Sequence, residues 1–205
     1  MTGAETEAAS ATPLVMIRHG PTDWNERSLI QGRSDRALSA SGRQAVARWR
    51  LPTELTSYRW TSSPLRRALE TAALLGHGEA EPEVALIEMD WGAYEGQRLA
   101  ELRQRCGEAF AQNEARGLDF RPDGGESPRA VQKRLSPWLA RCAAGAHPTA
   151  AITHKGVIRA LYALAVGWDM RGKPPDKLRD ACAHRFRLAA DGTPRVERLN
   201  IPLAP

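Results

Sequence analysis

Leu14-Val15-Met16-Ile17 is an unbroken apolar run that stops at Arg18-His19-Gly20. A short apolar run closed by glycine reads as a buried strand entering a tight turn. Strand-like and helix-like stretches alternate from there on. Residues 58–61, 84–87 and 149–153 read as further strands, that at 84–87 bounded by Pro82 and Gly92. Helical patterns run through Gln44 to Trp49 behind Ser39 or Ser41, over 65–75 behind Ser63-Pro64, and over 99–110 and 157–165, with a loop at 117–125. Ser127-Pro128 starts another helix, its Val131, Leu135, Trp138, Leu139 and Cys142 sharing one face. Pro137 inside it predicts a kink, or a second helix capped by Ser136. Residues 184–188 and 196–199 read as a late antiparallel pair around Asp191-Gly192. This alternation predicts a three-layer α/β fold, a mostly parallel central sheet with helices on both faces.

A chain of 205 residues fits one domain with a substantial core. Residues 1–13 lack a basic start and an apolar stretch and are expected to be a disordered leader, with 14–205 as the single domain. The net charge of +5 is carried almost wholly by scattered arginines, without a basic block or a nucleic-acid reader motif, so no nucleic-acid partner is expected. No stretch is apolar enough to cross a bilayer, so no membrane partner is expected either. Cys106, Cys142 and Cys182 are far apart, odd in number and not spaced as zinc ligands; free thiols in the cytoplasm are the simplest reading, with no metal site.

Four expected strand ends carry residues that suit a core poorly. The first delivers Arg18 and His19, the second Ser62-Ser63-Pro64-Leu65-Arg66, the third Glu88, the fourth His154. Carboxyl ends of parallel strands share one edge, where open α/β sheets bind ligands and helix amino termini favour anions. Two arginines, two histidines and a carboxylate gathered there make a phosphoryl-transfer site.

Arg18-His19-Gly20-Pro21-Thr22-Asp23-Trp24-Asn25 resembles the signature of the histidine phosphatase superfamily, the phosphoglycerate mutase-like proteins. The resemblance continues through Gln31-Gly32, Ser62-Ser63-Pro64-Leu65-Arg66-Arg67-Ala68, Glu88 with Gly92-Ala93-Tyr94-Glu95-Gly96, Gly125-Glu126-Ser127 and Thr153-His154-Lys155-Gly156. It implies that His19 attacks phosphorus and forms a phosphohistidine. It further implies that Arg18, Arg66 and His154 surround the phosphoryl oxygens, that Asn25, Thr22, Gln31 and Gly32 contact substrate, and that Glu88 protonates the leaving oxygen. It implies no cofactor and a small phosphorylated metabolite as substrate; oligomeric state is left open.

Plainer roles are expected for His77, His147 and His184 in turns and a strand, for Arg67 and Arg159 as surface or structural residues, and for Trp49 and Trp138 as core. Glu126 reads as a helix-start residue and Glu95 as a brace for its loop. Pro21 and Lys155 depart from the family pattern, glycine being common at the latter position. The short stretch from Gly96 to Thr153 lacks the basic landmarks of the mutase insertion, which favours hydrolysis over mutase chemistry. A non-catalytic phospho-ligand binder is the remaining alternative, disfavoured because His19 and Glu88 are both present.

Overall fold

The computed structural model describes residues 11–203, and the fold grows from the first apolar run. Strand β1 (Thr12–Arg18) pairs in parallel with β4 (Thr149–Thr153), which pairs in parallel with β2 (Arg59–Ser62). A two-residue edge strand, β3 (Glu81–Pro82), extends β2. On the other side β5 (Cys182–Leu188) runs antiparallel to β1, and β6 (Pro194–Pro202) antiparallel to β5, giving the order β3-β2-β4-β1-β5-β6. Thr12 and Pro13 pair opposite Leu188 and Arg187, so the domain starts ahead of residue 14; the rest of the expected leader, 1–10, lies outside the described residues.

Alternation along β1 splits the core. Leu14 and Met16 pack against α5 (Pro128–Gly145) and α6 (Lys155–Val166), while Val15 and Ile17 face α2 (Ala40–Ala47) and α3 (Arg66–Leu74). The one-turn α1 (Asp23–Glu26) follows β1, and α4 (Leu99–Glu114) bends at Gly107. Trp49 and Trp138 are core residues. Among the described residues no helix is long and apolar enough to cross a membrane.

Two local expectations are corrected. Residues 84–87 form no strand: Glu83 accepts a hydrogen bond from the Ala85 amide, and Val84–Leu86 closes as a 3-10 turn. Leu86 is buried there while Val84 is 70% exposed, so the apolar run serves one inward contact. Pro137 neither ends α5 nor starts a new helix at Ser136, whose hydroxyl instead donates to the Gln132 carbonyl within a continuous helix. The expected loop at 117–125 holds a 3-10 turn, Gly117–Asp119.

Candidate active site

Strand order explains why distant residues meet. Ser63, His154 and His19 are the residues that directly follow β2, β4 and β1, three neighbours in the sheet. The Ser63 amide donates to the Ile152 carbonyl and the His19 amide to the Thr153 carbonyl, which extends the ladder to the point where the side chains turn into the site. Gly20 then lets α2 approach, since a Cβ there would come within 2.3 Å of Val46 Cγ2. The His19 and His154 rings lie 5.0 Å apart, tilted by 57°.

Hydrogen-bond partners fix the state of both imidazoles. Nδ1 of His19 is 2.7 Å from the Gly20 carbonyl, which can only accept, so Nδ1 carries the proton and Nε2 the lone pair. The Arg67 Nε–H points between that Nε2 and Nδ1 of His154, 3.3 Å from each. His154 therefore donates from Nε2 to Ser63 Oγ at 2.7 Å. Burial, with Arg67 and Arg18 alongside, holds both rings well below the ordinary histidine pKa, so they are neutral at neutral pH.

The guanidinium between the histidines belongs to Arg67, and this corrects the sequence expectation. Arg66 is 62% exposed in its side chain and pairs with Glu70 one helical turn along α3. Arg67 is fully buried, donating to the carbonyls of Gly32 (2.7 Å) and Ser34 (3.0 Å). The signal was present in the sequence. Positions 67 and 71 lie on the inward stripe with Ala68 and Ala72, whereas 66 and 70 form an outward i,i+4 charge pair. Desolvation lowers the Arg67 pKa to about 10, which leaves it a cation whose direct partners are all neutral acceptors. Arg18 lines the same space and bonds Asp180 at 2.6 Å.

Glu88 reaches the site from outside the sheet. Thr153 Oγ1 donates to the Leu86 carbonyl, and Arg134 binds the carbonyls of Ala85 and Ile87, which pins the segment ahead of it. Its Oε1 accepts from the Met89 amide (2.8 Å) and Oε2 from the Gly156 amide (3.1 Å). Burial pushes its pKa upward, opposed in part by those amides and by Arg67 and Arg18. A neutral imidazole, the buried Arg67 and half-buried Arg18 guanidinium groups and a carboxyl with raised pKa thus lie close together. The sequence model of the histidine phosphatase superfamily (branch 1) matches residues 14–202.

The chain belongs to this superfamily. It is 36% identical over 169 residues to a glucosyl-3-phosphoglycerate phosphatase of Mycolicibacterium vanbaalenii, covering 75% of this chain and 74% of that one. It is 31% identical over 194 residues to a 2,3-bisphosphoglycerate-dependent phosphoglycerate mutase of Methylobacterium radiotolerans, covering 88% and 91%. A solved mycobacterial glucosyl-3-phosphoglycerate phosphatase in complex with VO3 superposes with a TM-score of 0.75 at 30% identity, covering 95% of this chain and all of that one. Phosphatases and mutases thus both occur among the relatives of this chain.

In this superfamily member, two cavities of about 550 and 730 Å³ open onto His19, Arg18, Asn25 and Lys155. The larger holds Glu88 and Gln31, whose Nε2 is buried and has no hydrogen-bond partner among the described residues. Thr22 and Gly32 do not line either cavity. Thr22 is fully buried, caps α1 and donates to Gln31 Oε1 at 2.9 Å, and Gly32 lends its carbonyl to Arg67. Thr22 thus holds a group that faces the cavity, and Gly32 holds the guanidinium between the two histidines. Glu95 braces its loop by accepting from the amides of Arg33 and Ser34, and Glu126 pairs with Arg134. His184 is buried at the Asn200 amide and His77 stacks on Trp60, away from the site. Cavity walls from Leu99, Phe120 and Met170 come from the segments flanking the core. Trp91 and Arg159 also line it; the sequence reading gave Trp91 no role and expected Arg159 to be structural.

Proposed function

We propose that the protein is a phosphomonoester hydrolase that works through a phosphohistidine on His19. The observation that carries this reading is the pair of contacts that protonates Nδ1 of His19 and turns its Nε2 lone pair toward a buried arginine. In the first half, Nε2 attacks phosphorus as the P–O bond to the alcohol breaks, and Glu88 gives its proton to the departing oxygen. In the second, the Glu88 carboxylate takes a proton from water, the oxygen attacks phosphorus, and the P–N bond breaks to release phosphate. Nucleophilic catalysis divides one hard displacement into two easier ones. Arg18 and Arg67 are placed to donate to the equatorial oxygens, Asn25 and Gln31 to add neutral hydrogen bonds, and His154, its own N–H held by Ser63, to position the Arg67 guanidinium beside His19.

Burial supports these roles. Arg67 has only neutral groups in direct contact, so a phosphate dianion supplies the charge that desolvation makes valuable. With guanidinium groups supplying the countercharge, this reading needs no metal and no cofactor; chelators leave activity intact and vanadate inhibits. The substrate is a small phosphorylated metabolite rather than a nucleic acid or a membrane component, and the cytoplasm fits the three free cysteines.

The test is phosphate release from p-nitrophenyl phosphate by wild type and His19→Ala. Loss of at least about 10³-fold in the variant supports the reading; equally slow release from both points to a binding module. The mutase relatives keep a second reading open to measurement. Isomerisation of 3-phosphoglycerate in the presence of catalytic 2,3-bisphosphoglycerate, faster than release of phosphate, would replace hydrolysis by phosphoryl transfer.

A further inference from the structure

His19 and His154 reach the site from the carboxyl ends of parallel strands, and β5 reaches the same edge from the other direction. It pairs antiparallel to β1, with Ala183 opposite Ile17, so its first residues lie where β1 ends. The segment entering β5 thereby delivers Asp180, whose Oδ1 accepts a hydrogen bond from Nη1 of Arg18 at 2.6 Å. Backbone on both sides of Asp180 is tied to β6 and the residue after it. The Arg179 amide donates to Asn200 Oδ1 at 2.7 Å, Asn200 Nδ2 donates to the Lys177 carbonyl at 3.0 Å, and the Leu203 amide donates to the Ala181 carbonyl at 3.0 Å. Ala181 sits in the left-handed region at φ 52°, a conformation that disfavours a residue with a Cβ and persists where surrounding contacts impose it. The carboxylate is presented from a fixed frame.

We propose that Asp180 is a positioning residue for phosphoryl transfer, holding the Arg18 guanidinium in the cavity that it shares with His19. This rests on the phosphomonoester reading of the site and adds to it the group that orders one of its two arginines. The two are held by different means. Arg67 is buried and donates to two carbonyls, so the backbone sets its place. Arg18 stands at a strand end with its side chain 20% exposed, and no other hydrogen bond holds its guanidinium among the described residues. A long side chain of this kind loses much rotamer freedom when it is fixed, and Asp180 fixes it before substrate arrives. The bond occupies Nη1 and leaves Nε, which is buried and has no partner among the described residues, for a phosphoryl oxygen. Burial works to raise the Asp180 pKa, but Arg18 and Lys155 outweigh it and the net shift is downward, so the group is an anion at neutral pH. Its Oδ2 lies 4.0 Å from Lys155 Nζ. An anion beside Arg18 also opposes an incoming phosphate, so order is gained against attraction.

Two substitutions separate geometry from charge. Asp180→Asn and Asp180→Ala remove the same charge, and only the asparagine keeps an oxygen that accepts from Arg18. Both fall on a side chain that is 59% exposed, so the fold tolerates either. Calorimetric titration with inorganic phosphate reads the effect without turnover. The expected result is binding about tenfold tighter in Asp180→Asn than in Asp180→Ala, with the gap closing to about twofold or less once Arg18→Met, which cannot bond the asparagine, is added to both. In the same four proteins, kcat/KM for p-nitrophenyl phosphate shows the same gap and the same closing. Equal affinity in the two variants, tighter binding in the alanine variant, a gap that survives Arg18→Met, or no phosphate binding in either variant overturns the positioning role. Failure of the hydrolase reading shows separately, as phosphate release by the wild type that does not depend on His19, and leaves the binding gap and its dependence on Arg18 readable.

Discussion

At the residue scale, two adjacent arginines have opposite fates. Arg67→Gln removes a buried donor between the two histidines, so kcat/KM for any phosphomonoester falls by about 10²–10³. Arg66→Gln only loses an exposed pair with Glu70 and stays within a few-fold of wild type. Steady-state kinetics on the two variants decide the assignment, and the reverse order would return Arg66 to the site. The pH profile tests Glu88. Its pKa is raised and must be protonated to serve the leaving group, whereas His19, with its pKa lowered, must be neutral. Activity on an alkyl phosphate therefore rises with pH through the lowered His19 value and falls through the raised Glu88 value. Glu88→Gln removes the alkaline limb and costs about 10²–10⁴ on an alkyl ester but less on p-nitrophenyl phosphate; an unchanged limb would exclude Glu88 as the acid. His19, His154 and Glu88 were legible in the sequence because each follows an apolar run or sits in a motif. Arg67 was obscured because two like residues stood side by side, and only the helix register separates an inward from an outward one.

At the element scale, α6 does more than cap the sheet. Its second residue, Gly156, donates its amide to Glu88 Oε2, and a Cβ at that position would come within 2.4 Å of Oε1 and 3.2 Å of Cδ. Alanine there is better than glycine in a helix by about 1 kcal/mol, so Gly156→Ala is expected to leave thermal stability level or slightly higher. The same change pushes the Glu88 carboxylate out of place. Hydrolysis of an alkyl phosphate should drop by about 10–100-fold while labelling of His19 by an activated ester persists, since general-acid help is what is lost. A variant that loses both equally would show that the glycine is needed for the helix start and not for the carboxylate. The strands were readable wherever an apolar run faces both layers, as β1 and β4 do. Residues 84–87 misled because one buried leucine beside an exposed valine imitates a strand over so short a span. The leaders into the cavity, around Trp91 and Arg159, carry no local pattern; sheet topology and the packing of α6 alone bring them together.

At the scale of the whole molecule, buried histidines weaken the fold in acid. His19, His154 and His184 are buried and each has a pKa below the ordinary value near 6.5, so the unfolded chain binds more protons than the folded one as pH falls past that value. Their contribution to stability is complete above the unfolded pKa and is lost as pH falls toward the folded values. Each group adds a slope of up to about 1.4 kcal/mol per pH unit while only the unfolded form is protonated. Glu88 acts in the opposite sense. Its raised folded pKa means the folded state takes up a proton first, which adds stability as pH falls. Salt-bridged surface carboxylates such as Asp23 and Asp119 have lowered pKa values and respond only further into acid. Thermal melts between pH 7 and 5 should therefore show a falling Tm that is flatter in His154→Gln and steeper in Glu88→Gln. Vanadate, which the proposed function has engaging the same donors, should raise Tm across the range by binding the folded state. Melting curves that run parallel in wild type and both variants would mean that the buried histidines and Glu88 do not keep their shifted protonation in solution, and the assignment of a neutral nucleophile beside a protonated acid would fall with them.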